Sequence, residues 1–236
     1  MKGIKAIFVK EFLSYFNSTI GYLWLVVFIG LNFWLFFRGF FLMPEADLRP
    51  MFSMFPVLFI IFIPAITMRL WAEEKKLGTL EILFSLPLRT EEIILGKFLA
   101  AVSFFGISLL LTFPLPFILS FLGNLDWGSV ISGYIGSFLF GSTLISLGMF
   151  LSGFTRNQIV AFILAASLSF LLYIIGEEVI LSFLTGFWAD FFSTLSVKTH
   201  FESIVRGVID LRDIVYYLSF IIFFIYANYL HLEVAR

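Results

Sequence analysis

The chain contains no cysteine, only two histidines, and few charged residues, 13% of its 236. Without cysteine it has no disulfide framework, no thiolate metal site and no thiol nucleophile. His200 and His231 are predicted on opposite sides of a membrane, so a shared metal is not expected and both read as interfacial or packing histidines. No Gly-x-x-x-x-Gly-Lys-Ser/Thr run occurs, so the chain cannot cradle nucleotide phosphates in that way, and any ATP must be hydrolysed by another subunit. Ionisable side chains are also missing from the apparent middles of the apolar segments. That argues against a carrier driven by protons or sodium.

What the sequence has in excess is apolar surface. Hydrophobic residues make up 61% of the chain, with 34 phenylalanines, more than a soluble core of this length can bury. The composition is that of an integral membrane protein. Six apolar segments approach the ~20 residues that cross a bilayer: about Tyr22 to Leu42, Met51 to Met68, Thr90 to Leu122, Val130 to Gly153, Ile159 to Ile175 and Ile214 to His231. The expected fold is all-α and polytopic, one transmembrane domain over residues 1–236.

Residues 1–18 form a loosely amphipathic stretch, with Ile4, Phe8, Phe12 and Tyr15 on one side, expected to lie flat at the membrane interface. The apolar segment behind it is too long for a signal-peptide core and has no small-residue cleavage site, so it is expected to be retained. Pro64 should kink the second span, and Pro114 and Pro116 should bend the third. The fourth span carries small residues four apart, such as Gly133 with Ser137 and Gly148 with Ser152, which let backbones approach closely and point to a central place in the bundle. Between Gly176 and Asp213 the pattern predicts short helices at the outer surface. Trp24, Trp71 and Trp127 read as belt anchors.

Basic residues gather on one side: Lys2, Lys5, Lys10, Arg69, Lys75, Lys76, Arg89, Lys97, Arg156 and Arg236, against Arg38, Arg49, Lys198, Arg206 and Arg212 on the other. By the positive-inside rule, both termini and the Trp71 to Lys97 loop are expected on the cytoplasmic side of the cell's inner (cytoplasmic) membrane.

That loop, WAEEKKLGTLEILFSLPLRTEEIILGK, is strongly punctuated. Gly78 should break the helix that leaves the second span. Thr79 is placed to cap a new short helix, with Glu81 in its first turn. Pro87 should end it by denying Leu86 the α region. Thr90, with Glu91 and Glu92 behind it, reads as the next start signal.

The stretch EEKKLGTLEILFSLPLRTEEIILGKFLA resembles the first cytoplasmic loop of ABC-2 type transporter permeases, matching at Glu73, Glu74, Gly78, Thr79, Leu80, Glu81, Pro87, Gly96 and Lys97. In that family the loop forms a coupling helix that contacts the ATPase subunit. The resemblance thus implies ionic contacts from Glu73 and Glu74, groove filling by Leu80, Leu83 and Phe84, and an angle fixed by Gly78 and Pro87. A second stretch, matching at His200, Phe201, Gly207, Asp210, Asp213 and Tyr216, resembles permeases of the gliding-motility and nitrous-oxide-reductase-maturation type.

Together these resemblances imply an export permease, paired with a second permease copy or paralogue in the bilayer and driven by an ABC-type ATP-binding subunit. ATP and Mg would belong to that subunit, with no cofactor in this chain and no nucleic-acid partner. The alternative is a membrane anchor or energy-transmitting scaffold that carries nothing across.

Overall fold

The computed structural model describes residues 2–40, 47–183 and 185–234, and among these it is entirely helical. The expected end of the first span at Leu42, and the basic residue Arg236, lie outside the described residues. Helix α1 (Lys2–Phe16) leads into α2 (Thr19–Phe40). The second span is α3 (Arg49–Thr67), continued by α4 (Arg69–Leu77), and the short α5 (Thr79–Ser85) follows. The third is α6 (Thr90–Leu110) with α7 (Pro114–Leu122). Helices α8 (Trp127–Ser152) and α9 (Gln158–Ile174) form a hairpin. The short α10 (Glu178–Ser182), α11 (Phe187–Leu195) and α12 (Val197–Val205) precede the last span, α13 (Leu211–Val234).

Five of the expected spans are long and apolar enough to cross a bilayer, and α9, with 17 residues, sits at the short limit. The third span is broken rather than bent. Leu111 to Phe113 form turns that separate α6 from α7, because Pro114 and Pro116 cannot donate to the preceding carbonyls and suit a helix start instead.

Helix α8 is the centre of the bundle, as its small residues predict, and packs on α3, α6, α9, α12 and α13. A Cβ on Gly133 would fall 2.4 Å from the Phe52 ring, and one on Gly141 would fall 2.2 Å from the Phe105 ring. A Cβ on Gly148 would lie 2.2 Å from Thr67 Oγ1. The glycines are the space into which these neighbours fit. The serine and threonine hydroxyls of α8 donate to carbonyls of their own helix, as Ser137 does to Gly133 at 2.7 Å and Thr143 to Leu139 at 2.9 Å, which leaves the packing surface apolar.

Two of the expected belt tryptophans are core residues. Trp24 is 7% exposed, stacks on Phe28 and donates its Nε1–H to the Phe62 carbonyl at 2.8 Å. Trp71 is fully buried, with the Lys97 ammonium 5.0 Å from its ring centroid. Trp127 alone of the three is exposed. In lipid an apolar ring gains little by facing one way or the other, so packing decides its direction.

The ends of the bundle are tied differently. At the end opposite the Trp71–Lys97 loop, His200 is buried between Asp213, whose Oδ1 lies 2.6 Å from Nδ1, and the Thr194 carbonyl, 3.1 Å from Nε2. The Tyr216 ring stacks on it at 4.0 Å. Beside it the Lys198 ammonium meets Glu177 at 2.7 Å and Glu202 at 3.4 Å. Burial alone would lower the Lys198 pKa, but the hydrogen bond to Glu177 and the Glu202 charge outweigh it and hold the ammonium above its usual value. The short helices α11 and α12 are thereby pinned to the start of α13. His231 closes the other end, with Nε2 3.0 Å from the Gly153 carbonyl.

Candidate functional site: the loop between the second and third spans

The loop is built from three helices whose limits follow from the sequence. Gly78 has φ +70°, the left-handed conformation a glycine adopts without cost, and its N–H bonds to the Glu74 carbonyl to end α4. Leu86 is extended (φ −68°, ψ 149°) ahead of Pro87, which stops α5. Helix, turn, short helix, proline and helix occur in the predicted order.

Two capping roles differ from expectation. The Thr79 hydroxyl does not cap forward; it donates back to the Glu74 carbonyl at 3.4 Å, and α5 begins without a side-chain cap. With Gly78 in the left-handed region, Thr79 is already the first helical residue, and its oxygen faces the preceding turn. Thr90 likewise is not the cap of α6. Its hydroxyl donates to Glu233 on α13 at 3.1 Å, while the Glu92 carboxylate accepts the Arg89 N–H at 3.4 Å.

The apolar residues of α5 divide between two sides. Leu83 is 6% exposed and belongs to the core, and Leu80 and Phe84, half-buried, pack against that core. The freely exposed apolar side chains are Leu77, Ile82 and Leu86, at 66%, 64% and 45%. Of the expected groove-filling set, Leu83 thus belongs to the core, while Leu80 and Phe84 are half-buried beside it. A cleft of about 650 Å³ separates this inner side from the α8–α9 turn; Leu80, Glu81 and Phe84 form one wall, and Phe154 and Arg156 the other. The Lys75 ammonium bonds to the Gly153 carbonyl and ties the two walls at one edge.

Glu74 is also turned inward. Its Oε1 lies 2.9 Å from the Lys97 ammonium, which also reaches Glu11 Oε1 at 2.9 Å and the Leu70 carbonyl at 2.9 Å. The three N–H donors of Lys97 are therefore all used, and its side chain is 2% exposed. Lys10 completes the cluster, 3.8 Å from both carboxylates. Glu73 is partly buried and lines a separate cavity between α1, α2 and α4. Nothing in the spacing of Glu11 and Lys97, 86 residues apart, marks them as partners. Only the Leu-Gly-Lys run hinted at the site. Gly96 is the contact point of α1, since a Cβ there would meet the Ile7 Cβ at 2.7 Å.

Among the described residues no three His, Asp or Glu side chains gather as a metal site would require.

A bundle of membrane-crossing helices around one glycine-rich helix, with a short punctuated helix held against one end, defines a multi-pass membrane protein. Residues 43–228 match the family described as ABC-2 family transporter protein, and the chain belongs to that family. It is a permease component of an ABC transporter. Such components are typically not enzymes themselves, and their general kind of partner is an ABC ATP-binding protein. No curated protein matches the chain.

Proposed function

We propose that this permease works as an exporter, in two copies or with a paralogue, and that an ATP-binding subunit drives it by seating on α5. The observation that carries this reading is the division of α5. Leu80, Leu83 and Phe84 fasten it to the bundle, while Leu77, Ile82 and Leu86 stay exposed beside it. A soluble loop gains nothing by exposing three large aliphatic side chains around one short helix, and a docking element needs them. The asymmetry of basic residues supports an inner-membrane protein with this loop and both termini in the cytoplasm.

Force applied to α5 has two outlets. Through Gly78 it reaches α4 and the second span, and through Pro87 it reaches α6 and the third. Gly78, Thr79, Glu81 and Pro87 frame the lever, Ile82 stands at its centre, and Glu73 keeps a supporting place at its edge. Glu74 is reassigned from partner contact to the internal ion cluster. The test is affinity purification of the chain in mild detergent with mass spectrometry and an ATPase assay. Recovery of a nucleotide-binding subunit supports the reading. Its absence under stabilising conditions overturns it, and an ATPase complex that moves no substrate in vesicles favours the scaffold alternative.

A further inference from the structure

We infer that the cavity between α1, α2 and α4 binds a zwitterionic, amine-bearing phospholipid from the leaflet on the side of the Trp71–Lys97 loop. The cavity holds about 550 Å³, within the range of small-ligand sites. Its two ends differ chemically. Toward the bundle its walls are Ile20 and Trp24 of α2, Ile66 of α3 and Phe104 of α6. Toward the loop they are Lys10 and Ser14 of α1 with Arg69 and Glu73 of α4. An apolar end within the span and a polar end at α1 suit an amphiphile standing at membrane depth.

The charges select the headgroup. Lys10, Arg69 and Lys97 are balanced by Glu11, Glu73 and Glu74, three of each sign. Lys97 and Lys10 are occupied by Glu11 and the Oε1 of Glu74. What remains is one cation and one anion. The Arg69 guanidinium rests on the Tyr15 ring, 4.3 Å from its centroid, with Nη2 3.5 Å from Ser14 Oγ. Among the described residues no carboxylate lies within ion-pair distance of Arg69, and no cation lies within that distance of Glu73.

One buried carboxylate oxygen on the cavity-lining residues, Glu74 Oε2, also lacks a partner. Buried polar groups left unsatisfied are rare and call for a ligand or water. A phosphate against Arg69 and an ammonium against Glu73 would satisfy both signs. An anionic headgroup has at most neutral hydroxyls to offer Glu73, a weaker partner for a carboxylate than an ammonium.

The test is native mass spectrometry of the purified, delipidated chain titrated with phosphatidylethanolamine, phosphatidylcholine or phosphatidylglycerol of matched acyl chains. Wild type should retain phosphatidylethanolamine about tenfold more than phosphatidylglycerol, the scale of one charge-assisted hydrogen bond gained or lost. Arg69→Ala should lower retention of all three. Glu73→Gln should leave phosphatidylglycerol unchanged and erase the preference for the amine. A photoactivatable phosphatidylethanolamine should label the Ile20 to Trp24 segment. Circular dichroism and gel filtration establish that each variant is folded, and Arg69→Lys, which keeps the charge, should restore part of the retention. Equal retention of the ethanolamine and glycerol lipids, a preference for the anionic lipid, or wild-type behaviour of folded Arg69→Ala would overturn the assignment.

Discussion

Lys97 and Glu74 meet at 2.9 Å across the junction of α6 and α4, and the same ammonium holds Glu11 on α1. One buried side chain therefore links the interfacial helix, the helix that carries the lever, and the third span. A buried ion pair is a modest source of net stability, but removing one partner strands the others in a poor solvent for charge. Lys97→Met should leave two carboxylates facing each other and cost about 3–5 kcal/mol. Thermal unfolding in detergent should show the loss, and proteolysis should open the α1–α2 connection first. An unchanged melting temperature would mean that the cluster carries no structural load.

The two sides of α5 should respond oppositely to substitution. Leu83→Ala empties a core position and should cost about 2–5 kcal/mol of stability. Ile82→Asp changes an exposed side chain, so the fold should be unaffected, while a carboxylate enters the apolar contact proposed for the ATP-binding subunit. Co-purification of that subunit should fall at least tenfold for Ile82→Asp, with the melting temperature held within about 1 °C. Loss of stability from Ile82→Asp would place that residue in the core instead.

Punctuation was what the sequence made legible. Gly78, Pro87 and the small residues of α8 act on the backbone or on sterics within their own helix, so their consequences can be read locally. Facing could not be read in the same way. In a soluble protein the apolar side of α5 would be its buried side. Here Leu80, Ile82, Leu83, Phe84 and Leu86 leave hardly any polar face, and nothing local tells the core from a partner. Trp24 and Trp71 were misplaced for the same reason, since lipid and core are alike to an indole ring. Ion pairs between distant elements, such as Glu11 with Lys97, depend on packing that only the assembled bundle fixes.

The glycines of α8 and those of α2 give a sharp contrast. Gly141→Ala would drive a methyl group into the Phe105 ring at 2.2 Å, so α6 and α8 would have to separate at a cost of about 1–3 kcal/mol. Gly30→Ala, with nothing within 4 Å of its new Cβ, should instead stabilise α2 by up to about 1 kcal/mol. Chemical unfolding of both variants in one detergent compares them directly. A loss at Gly30 as large as at Gly141 would show that a second chain covers that face of α2.

At the far end, Asp213→Asn tests whether the contact with His200 anchors α12. Asn retains the shape and one acceptor but removes the charge that faces Nδ1 at 2.6 Å, and its amide group enters a site where Oδ2 already has no partner. The expected cost is about 1.5–3 kcal/mol, concentrated locally. Hydrogen exchange should quicken across Val197 to Val205 and leave α8 protected. Exchange that quickens uniformly would mean that the contact supports the whole bundle.

In the proposed coupling Gly78 sets the angle of α5, and its backbone separates two consequences that most substitutions mix. The site is open, with nothing within 4 Å of an added Cβ, so Gly78→Ala creates no clash. What it meets is the left-handed backbone at φ +70°, which disfavours alanine by about 1–2 kcal/mol. The chain can relieve that strain by letting α4 run on, which would swing α5 away from the cleft. Gly78→Ala should therefore keep the bundle stable while ATPase stimulation by the permease falls several-fold. Gly78→Asn, better tolerated in that region, should recover much of it. Asn is the bulkier of the two, so its better performance than Ala in this open space would follow the backbone angle and not side-chain size. If both lose stimulation equally, the contact surface at Gly78 matters and the turn does not.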